Sequence, residues 1–364
     1  MITGAPLPAW SDLIALLGFR PGSQRLAQPW LKEGERAVWF SRSAWSLAAL
    51  AAAARRRLGR PPLVALPGLF CNASLGPLRR TGAALDFYPV TAELEPDWPE
   101  CRRPPDLFVL VHAFGRPADA AAARAHCADW DAQLVEDCAH VLLPAPGIGE
   151  TGDACLWSPH KLLPAPHGGL LVLRDGADIP APAGPAPPVL PWLAKRLVQM
   201  VLPGRLLPNP ARRGPARFED DPPAVEMADM PAPAGAALKL LARAARGVRV
   251  VAAKRRALGH RLLEALAGRE GWSALFDPVL ITPYRLVMRC DTPAIAARRF
   301  DEYRAAGVPV ESWPDLPPEV TADPAHHAAA LRARSTLLCF PVHQGLDPAD
   351  LVERCARVQF PQRH

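Results

Sequence analysis

The sequence predicts an α/β fold, with a mostly parallel central sheet in a large lobe and a smaller α+β lobe at the C-terminal end. Short apolar strand patterns alternate with helical patterns from about residue 40 to 174, which is typical of buried parallel strands joined by helices. Prolines then crowd residues 176–235, where regular sheet cannot form because proline lacks the N–H donor. The length of 364 residues exceeds what one hydrophobic core usually serves, which indicates two lobes.

The elements of the large lobe follow one another closely along the chain. Strands are expected at 62–66, 84–90, 107–111, 132–136, 154–157 and 170–174, with helices at 44–57, 72–81 and 118–129. The first of these helices is rich in alanine and begins a few residues after the apolar residues VWF (38–40). This order predicts repeated strand–helix units.

The remaining chain predicts a connection and a small lobe. A short helix is expected near 192–202, and the small lobe is expected to contain a long helix at 236–267, a strand at 279–289, a helix at 293–306, a strand near 308–312 and a last helix. Asp347 followed by Pro348 marks the start of that last helix. We therefore expect an N-terminal segment (1–39) near the small lobe, a large domain (40–235) and a small domain (236–364).

Composition excludes several classes of protein. The net charge of +6 favours anionic ligands weakly, and the basic runs at 55–57 and 254–256 are interpreted as solvated helix faces, since no nucleic-acid motif accompanies them. The eight cysteines form no CxxC pair and are expected to be buried and unpaired. Without a recognisable signal segment or an apolar stretch long enough to span a bilayer, the chain is expected to be cytoplasmic.

Polar residues stand at three places of the predicted fold where a ligand would bind, namely one helix start and two strand ends. Ser43 stands at the start of the Ala-rich helix, Asp137 and His140 follow one strand, and Ser158 and Lys161 follow another. Ligands of parallel α/β sheets gather at the carboxyl ends of strands and at helix N-termini. If the strands are neighbours, an anion site, an acid and an amine face one pocket.

Pyridoxal 5′-phosphate (PLP) is the cofactor whose chemistry needs this set. A lysine forms a Schiff base with its aldehyde, an acid pairs with its ring nitrogen, and hydroxyl and N–H groups hold its phosphate. The chain has five lysines, and among them Lys161 alone follows a strand end of the α/β lobe. A buried lysine can act as nucleophile and later as general base because burial favours the neutral amine.

Two motifs of the chain are LVEDCAH (134–140) and GDACLWSPHKLLPAPHGGLLVL (152–173). Both resemble the DegT/StrS-type PLP-dependent aminotransferases, which have fold type I and often act on keto sugars carried by nucleotides. Three further segments, at 66–90, 111–120 and 335–351, resemble other parts of that family, so the resemblance extends over most of the chain. The resemblance implies a homodimer, with no nucleic-acid or membrane partner.

The resemblance also implies a role for each motif residue. Lys161 corresponds to the Schiff-base lysine, Asp137 to the partner of the ring nitrogen, and His140 to the residue that reaches the phenolic oxygen. The remaining cofactor-binding residues are Ser43, Ala44 and Ser158 around the phosphate, Phe70 or Cys71 stacked on the ring, with Phe70 favoured, and His160 in the SPHK turn.

The sequence differs from the family pattern in four places. One is the segment ADMPAPAGAAL (228–238), which has no clear counterpart of the asparagine that the neighbouring subunit often donates. Arg42 precedes Ser43-Ala44 where relatives have Gly-Thr-Ala, and His167 replaces an acidic residue before the glycine pair. The spacing from Ser158 to Lys161 is two residues shorter than in many members and is similar to the SxHK turn of cysteine desulfurase-like enzymes.

The sequence therefore predicts an aminotransferase that moves an amino group from an amino acid such as glutamate to a keto sugar or another small ketone. The shortened turn leaves open a PLP-dependent lyase, dehydratase or desulfurase, and Arg42 leaves open a non-catalytic relative that only binds a ligand. Two other interpretations are disfavoured. GIGETG (147–152) matches GxGxxG, but a strand pattern follows it, and the scattered His and Cys residues lack the spacing of metal ligands.

Overall fold

The computed structural model describes residues 2–98, 101, 103–174, 178–201, 217–220 and 230–358. Of the proline-rich connection expected at 176–235, residues 176–177, 202–216 and 221–229 thus lie outside the described residues. Within the described part of the chain, no helix combines the length and the apolar character needed to cross a membrane.

A sheet of seven strands among the described residues forms the centre of the large lobe, in the order β1-β7-β6-β5-β4-β2-β3. The strands are β1 (Arg36–Phe40), β2 (Leu63–Pro67), β3 (Ala84–Tyr88), β4 (Leu107–Val111), β5 (Gln133–Cys138), β6 (Ala154–Trp157) and β7 (Gly169–Leu173). Strands β2 to β6 run parallel, whereas β7 pairs antiparallel with both β6 and β1. The expected α/β class with a mostly parallel sheet is confirmed.

The central strands of the large sheet are apolar along their whole length. Both faces of the sheet must therefore be covered, and helices pack on them. Every residue of β6 and β7 is buried, as in strands with both faces covered. The helices are α3 (Ser43–Leu58), α4 (Gly76–Arg80), α5 (Ala120–Trp130), α6 (Pro159–Leu162) and α7 (Leu190–Val201). The small side chains of α3, six of whose alanines and leucines are fully or nearly fully buried, let this helix pack closely on β7, β6 and β1.

The N-terminal segment contacts both lobes. It contains α1 (Trp10–Leu13) and α2 (Ser23–Ala27), which pack on α8 (Gly235–Ala245), and the Thr3 carbonyl lies 2.8 Å from Nε2 of His343. Strand β1 already belongs to the large sheet, so that sheet begins before the boundary expected at residue 40. The division into domains stays a prediction.

The small lobe is built on an antiparallel sheet in the order β10-β11-β9-β8. Its strands are β8 (Trp272–Ala274), β9 (Arg285–Cys290), β10 (Glu311–Ser312) and β11 (Leu337–Pro341). Its helices are α9 (Val248–Leu266), α10 (Pro293–Ala305), α11 (Pro318–Ala322), α12 (Ala328–Thr336) and α13 (Pro348–Arg357). Helix α13 begins as the sequence predicts, since the Asp347 carboxylate accepts the N–H of Ala349 at 2.9 Å.

Three sequence predictions of secondary structure are wrong in extent. The long helix expected at 236–267 is interrupted at Arg246-Gly247, because glycine favours a break, and becomes α8 and α9. The strand expected at 279–289 begins only at Arg285, since Pro283 cannot donate to a sheet, and a 3₁₀ turn occupies Pro278–Leu280. The helix expected at 72–81 is a 3₁₀ turn at Asn72–Ser74 followed by the short α4.

None of the eight cysteines forms a disulfide bond, as the sequence predicts. Six of them are buried, and Cys71 and Cys101 are partly exposed. The cytoplasmic location stays a prediction.

Candidate active site

Most of the residues expected to bind a cofactor line one cavity of about 830 Å³ at the carboxyl ends of the parallel strands. The predicted residues in its wall are Ser43, Ala44, Phe70, Cys71, Asp137, His140 and Lys161. The other two, Ser158 and His160, line a wider groove of about 2220 Å³ that shares Ser43, His140 and Lys161 with the cavity. The structure thus brings every predicted site residue to one end of the large sheet.

Two serines meet at the N-terminus of α3. The buried Ser158 hydroxyl lies 2.6 Å from Oγ of Ser43, the first residue of the helix. No side chain caps α3 among the described residues, because Arg42 occupies the N-cap position. Two hydroxyls and the open N–H groups of a helix N-terminus therefore form a site suited to an anion.

The glycine pair lets strand β7 approach this turn. Phe40 of β1 pairs with Gly169, and the Gly168 N–H donates to the Ser41 carbonyl at 2.8 Å. A Cβ on Gly169 would lie 2.1 Å from the carbonyl carbon of Arg42, a distance that no side chain can occupy. Gly169 is thus needed for the close approach of backbone to backbone, whereas Gly168 has a φ of +149° that favours glycine.

Asp137 lies inside β5, one residue before its end, and not after the strand as expected. It is 8% exposed, and its Oδ1 accepts the N–H of Ala139 at 2.8 Å. Burial raises the pKa of this carboxyl, while the charge of Lys161 and the Ala139 N–H act in the opposite direction. The second carboxylate oxygen has no hydrogen-bond partner within the described part of the chain.

Lys161 is held by the short helix α6, which follows β6 without a loop. The Lys161 N–H donates to the Ser158 carbonyl at 2.9 Å, so the two residues share one turn despite their short spacing. The ammonium influences the pKa of Asp137, Cys71 and His140, which places its charge among them. Among the described residues the Lys161 amine has no hydrogen-bond acceptor.

His140 is neutral and has a defined orientation. Burial, Lys161 and Arg285 lower the pKa of its imidazole well below the usual range. Its Nδ1 lies 3.3 Å from the Phe114 N–H and accepts from it, which assigns the ring proton to Nε2. A neutral imidazole with its Nε2–H free can donate to an oxygen of a bound ligand.

Phe70 and Cys71 lie on the loop after β2, on the cavity wall. Cys71 is partly exposed, and burial of its thiol raises the pKa, against the opposing effect of Lys161. The Phe70 ring is the flat apolar surface that the sequence predicts for this wall.

His160 contacts the glycine pair. Its Nδ1 donates to the Gly168 carbonyl at 2.9 Å, which leaves Nε2 as an acceptor on the side of the groove. Burial and Arg42 lower the pKa of the imidazole to about 3, so the ring is neutral.

Three aromatic residues at the site were missed by sequence reasoning. Trp313 and Tyr88 line the cavity, and Tyr284 stacks on His140 with ring centroids 4.5 Å apart. Trp313 donates to the Leu69 carbonyl at 3.0 Å, and Tyr88 donates to the Val109 carbonyl at 2.7 Å. Trp313 and Tyr284 come from the far end of the chain, and no local pattern indicated that they would reach this cavity.

The GIGETG segment binds a carboxylate of the chain itself. Glu136 is fully buried and accepts from the N–H groups of Gly149, Thr151 and Gly152 at 2.5–2.7 Å, and from His112 Nε2 at 2.9 Å. Although burial raises the pKa of Glu136, these hydrogen bonds lower it to about 2. The N–H groups that a dinucleotide phosphate would need are therefore occupied.

His112, Glu136 and Cys138 are close enough to suggest a metal site, with possible ligand atoms within 4.8 Å of one another. Both His112 nitrogens are already used, since Nδ1 accepts the Ala118 N–H at 3.0 Å and Nε2 donates to Glu136. This group is a hydrogen-bonded part of the core.

The fold is that of PLP-dependent transferases of fold type I, as the comparison with solved aminotransferases shows. TlmJ from Streptoalloteichus hindustanus, an aminotransferase, is 21% identical with a TM-score of 0.71, covering 98% of this chain and 97% of its own. PseC from Helicobacter pylori, an aminotransferase involved in the biosynthesis of pseudoaminic acid, is 12% identical with a TM-score of 0.69, covering 98% and 96%. Spr1654 from Streptococcus pneumoniae, known in PLP and PMP forms, is 14% identical, and its PLP form has a TM-score of 0.68 and covers 98% of each chain.

The sequence profile of the DegT/DnrJ/EryC1/StrS aminotransferase family matches residues 105–179. The matched segment contains Asp137, His140, Ser158 and Lys161. The resemblance indicated by the two motifs is therefore confirmed, and the family is one of aminotransferases. No curated protein sequence matches the chain.

Proposed function

We propose that this chain is a PLP-dependent aminotransferase that moves an amino group from an amino acid, glutamate first among them, to a keto sugar or another small ketone of a biosynthetic pathway. The observation that carries the proposal is the meeting of a lysine, a buried acid and a serine pair at one end of the sheet. The family profile supports the proposal because it spans these same residues.

The polar groups of the cavity fit the phosphate and the ring nitrogen of PLP. The uncapped N-terminus of α3, with Ser43 and Ser158, provides hydroxyl and N–H donors for a phosphate. Asp137 offers a carboxylate oxygen without a partner among the described residues, as a protonated ring nitrogen requires.

Lys161 is the residue to which we assign the covalent step. When bound, PLP supplies an aldehyde that links to amines and a ring that withdraws electrons from the carbon being deprotonated. The Lys161 amine, which has no acceptor within the described part of the chain, is available as the nucleophile. Once displaced by the amine of the donor, the same Nζ is placed to take up and return a proton.

Asp137 and His140 would set the charges around the ring. Because Asp137 is buried, its carboxylate costs free energy when it has no charged partner. A cationic ring nitrogen would therefore be a favourable partner. His140 would donate its Nε2–H to the phenolic oxygen, because its Nδ1 is already engaged by the Phe114 N–H. Phe70 on one wall and Ala139 on another would exclude water from the ring.

A second copy of this chain is the partner we propose. Large apolar side chains are exposed in the N-terminal segment, namely Trp10 (60%), Ile14 (67%), Leu17 (89%) and Phe19 (101%). Side chains of this kind are normally covered by another surface. A two-fold homodimer would cover them, and the resemblance to the family implies the same assembly.

The experiment that tests the function is the glutamate half-reaction. The PLP-loaded protein should convert to the pyridoxamine 5′-phosphate form on addition of glutamate, with one 2-oxoglutarate released per site. Absorbance measures the first product and a coupled dehydrogenase assay measures the second. Lys161→Ala should abolish both signals, whereas Lys254→Ala, at an exposed position on α9, should leave them unchanged.

Other outcomes would identify the rival functions. A protein that binds PLP through Lys161 but forms no pyridoxamine 5′-phosphate with any amino donor is a PLP enzyme of another reaction type. A protein that gains no PLP absorbance and no thermal stability from PLP is a non-catalytic relative.

A further inference from the structure

Arg42 lies at the N-terminus of a helix and has no charged partner within the described part of the chain. It occupies the N-cap position of α3 and is only partly exposed. No carboxylate in the described part of the chain forms an ion pair with it, and burial lowers the pKa of its guanidinium. A buried arginine is normally paired, because removing an unpaired charge from water costs free energy.

The surroundings of Arg42 add positive potential instead of compensating its charge. The N-terminus of α3 carries the positive end of the helix dipole, and Lys161 lines the same groove. The two nearest histidines remain neutral, since burial and Arg42 lower the pKa of His160 to about 3 and that of His167 to about 4. An anion bound at this cluster would offset its positive charge.

We propose that Arg42 is a direct ligand of the cofactor phosphate, in place of the glycine that relatives have at this position. The planar guanidinium offers parallel donors that match two phosphate oxygens, and it lines the same groove as Ser43, Ser158 and Lys161. The role rests on the proposed PLP site. If Arg42 has this role, the affinity for PLP depends more strongly on the phosphate group in this chain than in a chain with glycine at position 42.

The test compares the PLP affinity of the wild type with that of Arg42→Ala and Arg42→Lys. Quenching of tryptophan fluorescence can report binding, because Trp313 lines the cavity. Arg42→Ala should weaken PLP binding by about tenfold to a hundredfold, the range for a hydrogen bond to a charged group, and Arg42→Lys should restore part of the affinity.

Two controls accompany this comparison. Pyridoxal, which lacks the phosphate, should bind all three proteins equally. Arg57→Ala, at an exposed position on the same helix, should bind PLP as the wild type does.

The melting temperature of the protein without PLP separates a phosphate ligand from a structural arginine. Loss of a partly buried cation that has no carboxylate partner within the described part of the chain should leave the cofactor-free protein as stable as the wild type or more so. It should also remove the stabilisation by inorganic phosphate. Unchanged PLP affinity in Arg42→Ala would overturn the proposal. So would a loss of affinity for pyridoxal equal to that for PLP, or a lower melting temperature of the cofactor-free variant.

The same measurements distinguish this proposal from the proposed function. If the wild type binds PLP and Arg42→Ala binds it equally well, only the role of Arg42 is wrong. If the wild type does not bind PLP, the function is wrong. In that case, loss of phosphate stabilisation in Arg42→Ala would still show that Arg42 binds an anion.

Discussion

The rings of His140 and Tyr284 lie parallel, 6° apart in plane, with their centroids separated by 4.5 Å. His140 belongs to the large lobe and Tyr284 to the small one, so this stack joins the lobes at the site. The Tyr284 N–H also donates to the Phe114 carbonyl at 2.9 Å, and the Phe114 N–H donates to His140. Tyr284 is therefore a positioning residue that fixes the plane of the imidazole.

Tyr284→Leu should slow the glutamate half-reaction, whereas Tyr284→Phe, which keeps the ring, should not. Stacked aromatic pairs contribute about 1 kcal/mol, so the expected loss is about fivefold in rate. Stopped-flow absorbance measures the rate, and the glutamate concentration at half-saturation should change little. Equal rates in the two variants would contradict a positioning role.

Gly169→Ala should disrupt the anion site, because the new Cβ would meet the backbone of Arg42 and Ser43 within 2.3 Å. The turn must then move away from β7, at a cost of about 1–3 kcal/mol of unfolding free energy and with a clear loss of PLP affinity. Urea unfolding and PLP titration measure the two effects.

Gly76→Ala is the matched control for this substitution. It lies at the start of α4, where nothing would contact the added Cβ within 4 Å. Similar losses in both variants would mean that the contact between β7 and the turn is not the cause.

The motif residues could be predicted from the sequence because each stands beside a strand end or a helix start. The α/β pattern placed Asp137, Ser158 and Lys161 at strand ends, and the parallel pairing of β5 with β6 in the structure brings them together. Ser43 could be placed for the same reason, since the Ala-rich pattern predicted the start of α3.

The aromatic wall of the site could not be predicted in this way. Tyr284 and Trp313 reach the cavity only because the small lobe packs over it, and packing between lobes leaves no local pattern in the sequence. The antiparallel pairing of β7 was equally hidden, because an apolar strand looks the same in either direction. The break at Gly247, in contrast, had a visible signal in the glycine itself.

Glu136 should make the protein sensitive to acid. The pKa of this carboxyl is about 2 in the folded chain and ordinarily 4.5, so the folded state binds fewer protons than the unfolded state between these values. Its contribution is fully present above about pH 4.5 and is lost as the pH falls towards 2. The shift corresponds to about 3 kcal/mol.

Glu136→Gln should remove that pH dependence and lower the unfolding free energy at pH 7. Urea unfolding at several pH values between 7 and 3.5 measures both effects. Glu264→Gln, at an exposed position on α9, is the control and should keep the wild-type profile. An unaltered acid slope in Glu136→Gln would show that other carboxyls are responsible.

The exposed apolar residues of the N-terminal segment should be covered in a homodimer. Sedimentation velocity should give twice the chain mass for the wild type and the chain mass for Leu17→Asp/Phe19→Asp. The replacement of Arg25, an exposed residue of α2, by Asp is a control for added negative charge and should leave the dimer intact. A monomeric wild type would contradict the proposed assembly.

The central claim is that Lys161 carries the cofactor, and reductive trapping tests it most directly. Borohydride adds hydride to the carbon–nitrogen double bond between PLP and an amine, and this leaves a stable secondary amine that mass spectrometry can locate. The chain has only five lysines, so the modified residue can be assigned without ambiguity. We expect one phosphopyridoxyl group per chain, on Lys161, and none on that peptide in Lys161→Ala. Modification of another lysine, or of none, would contradict the account.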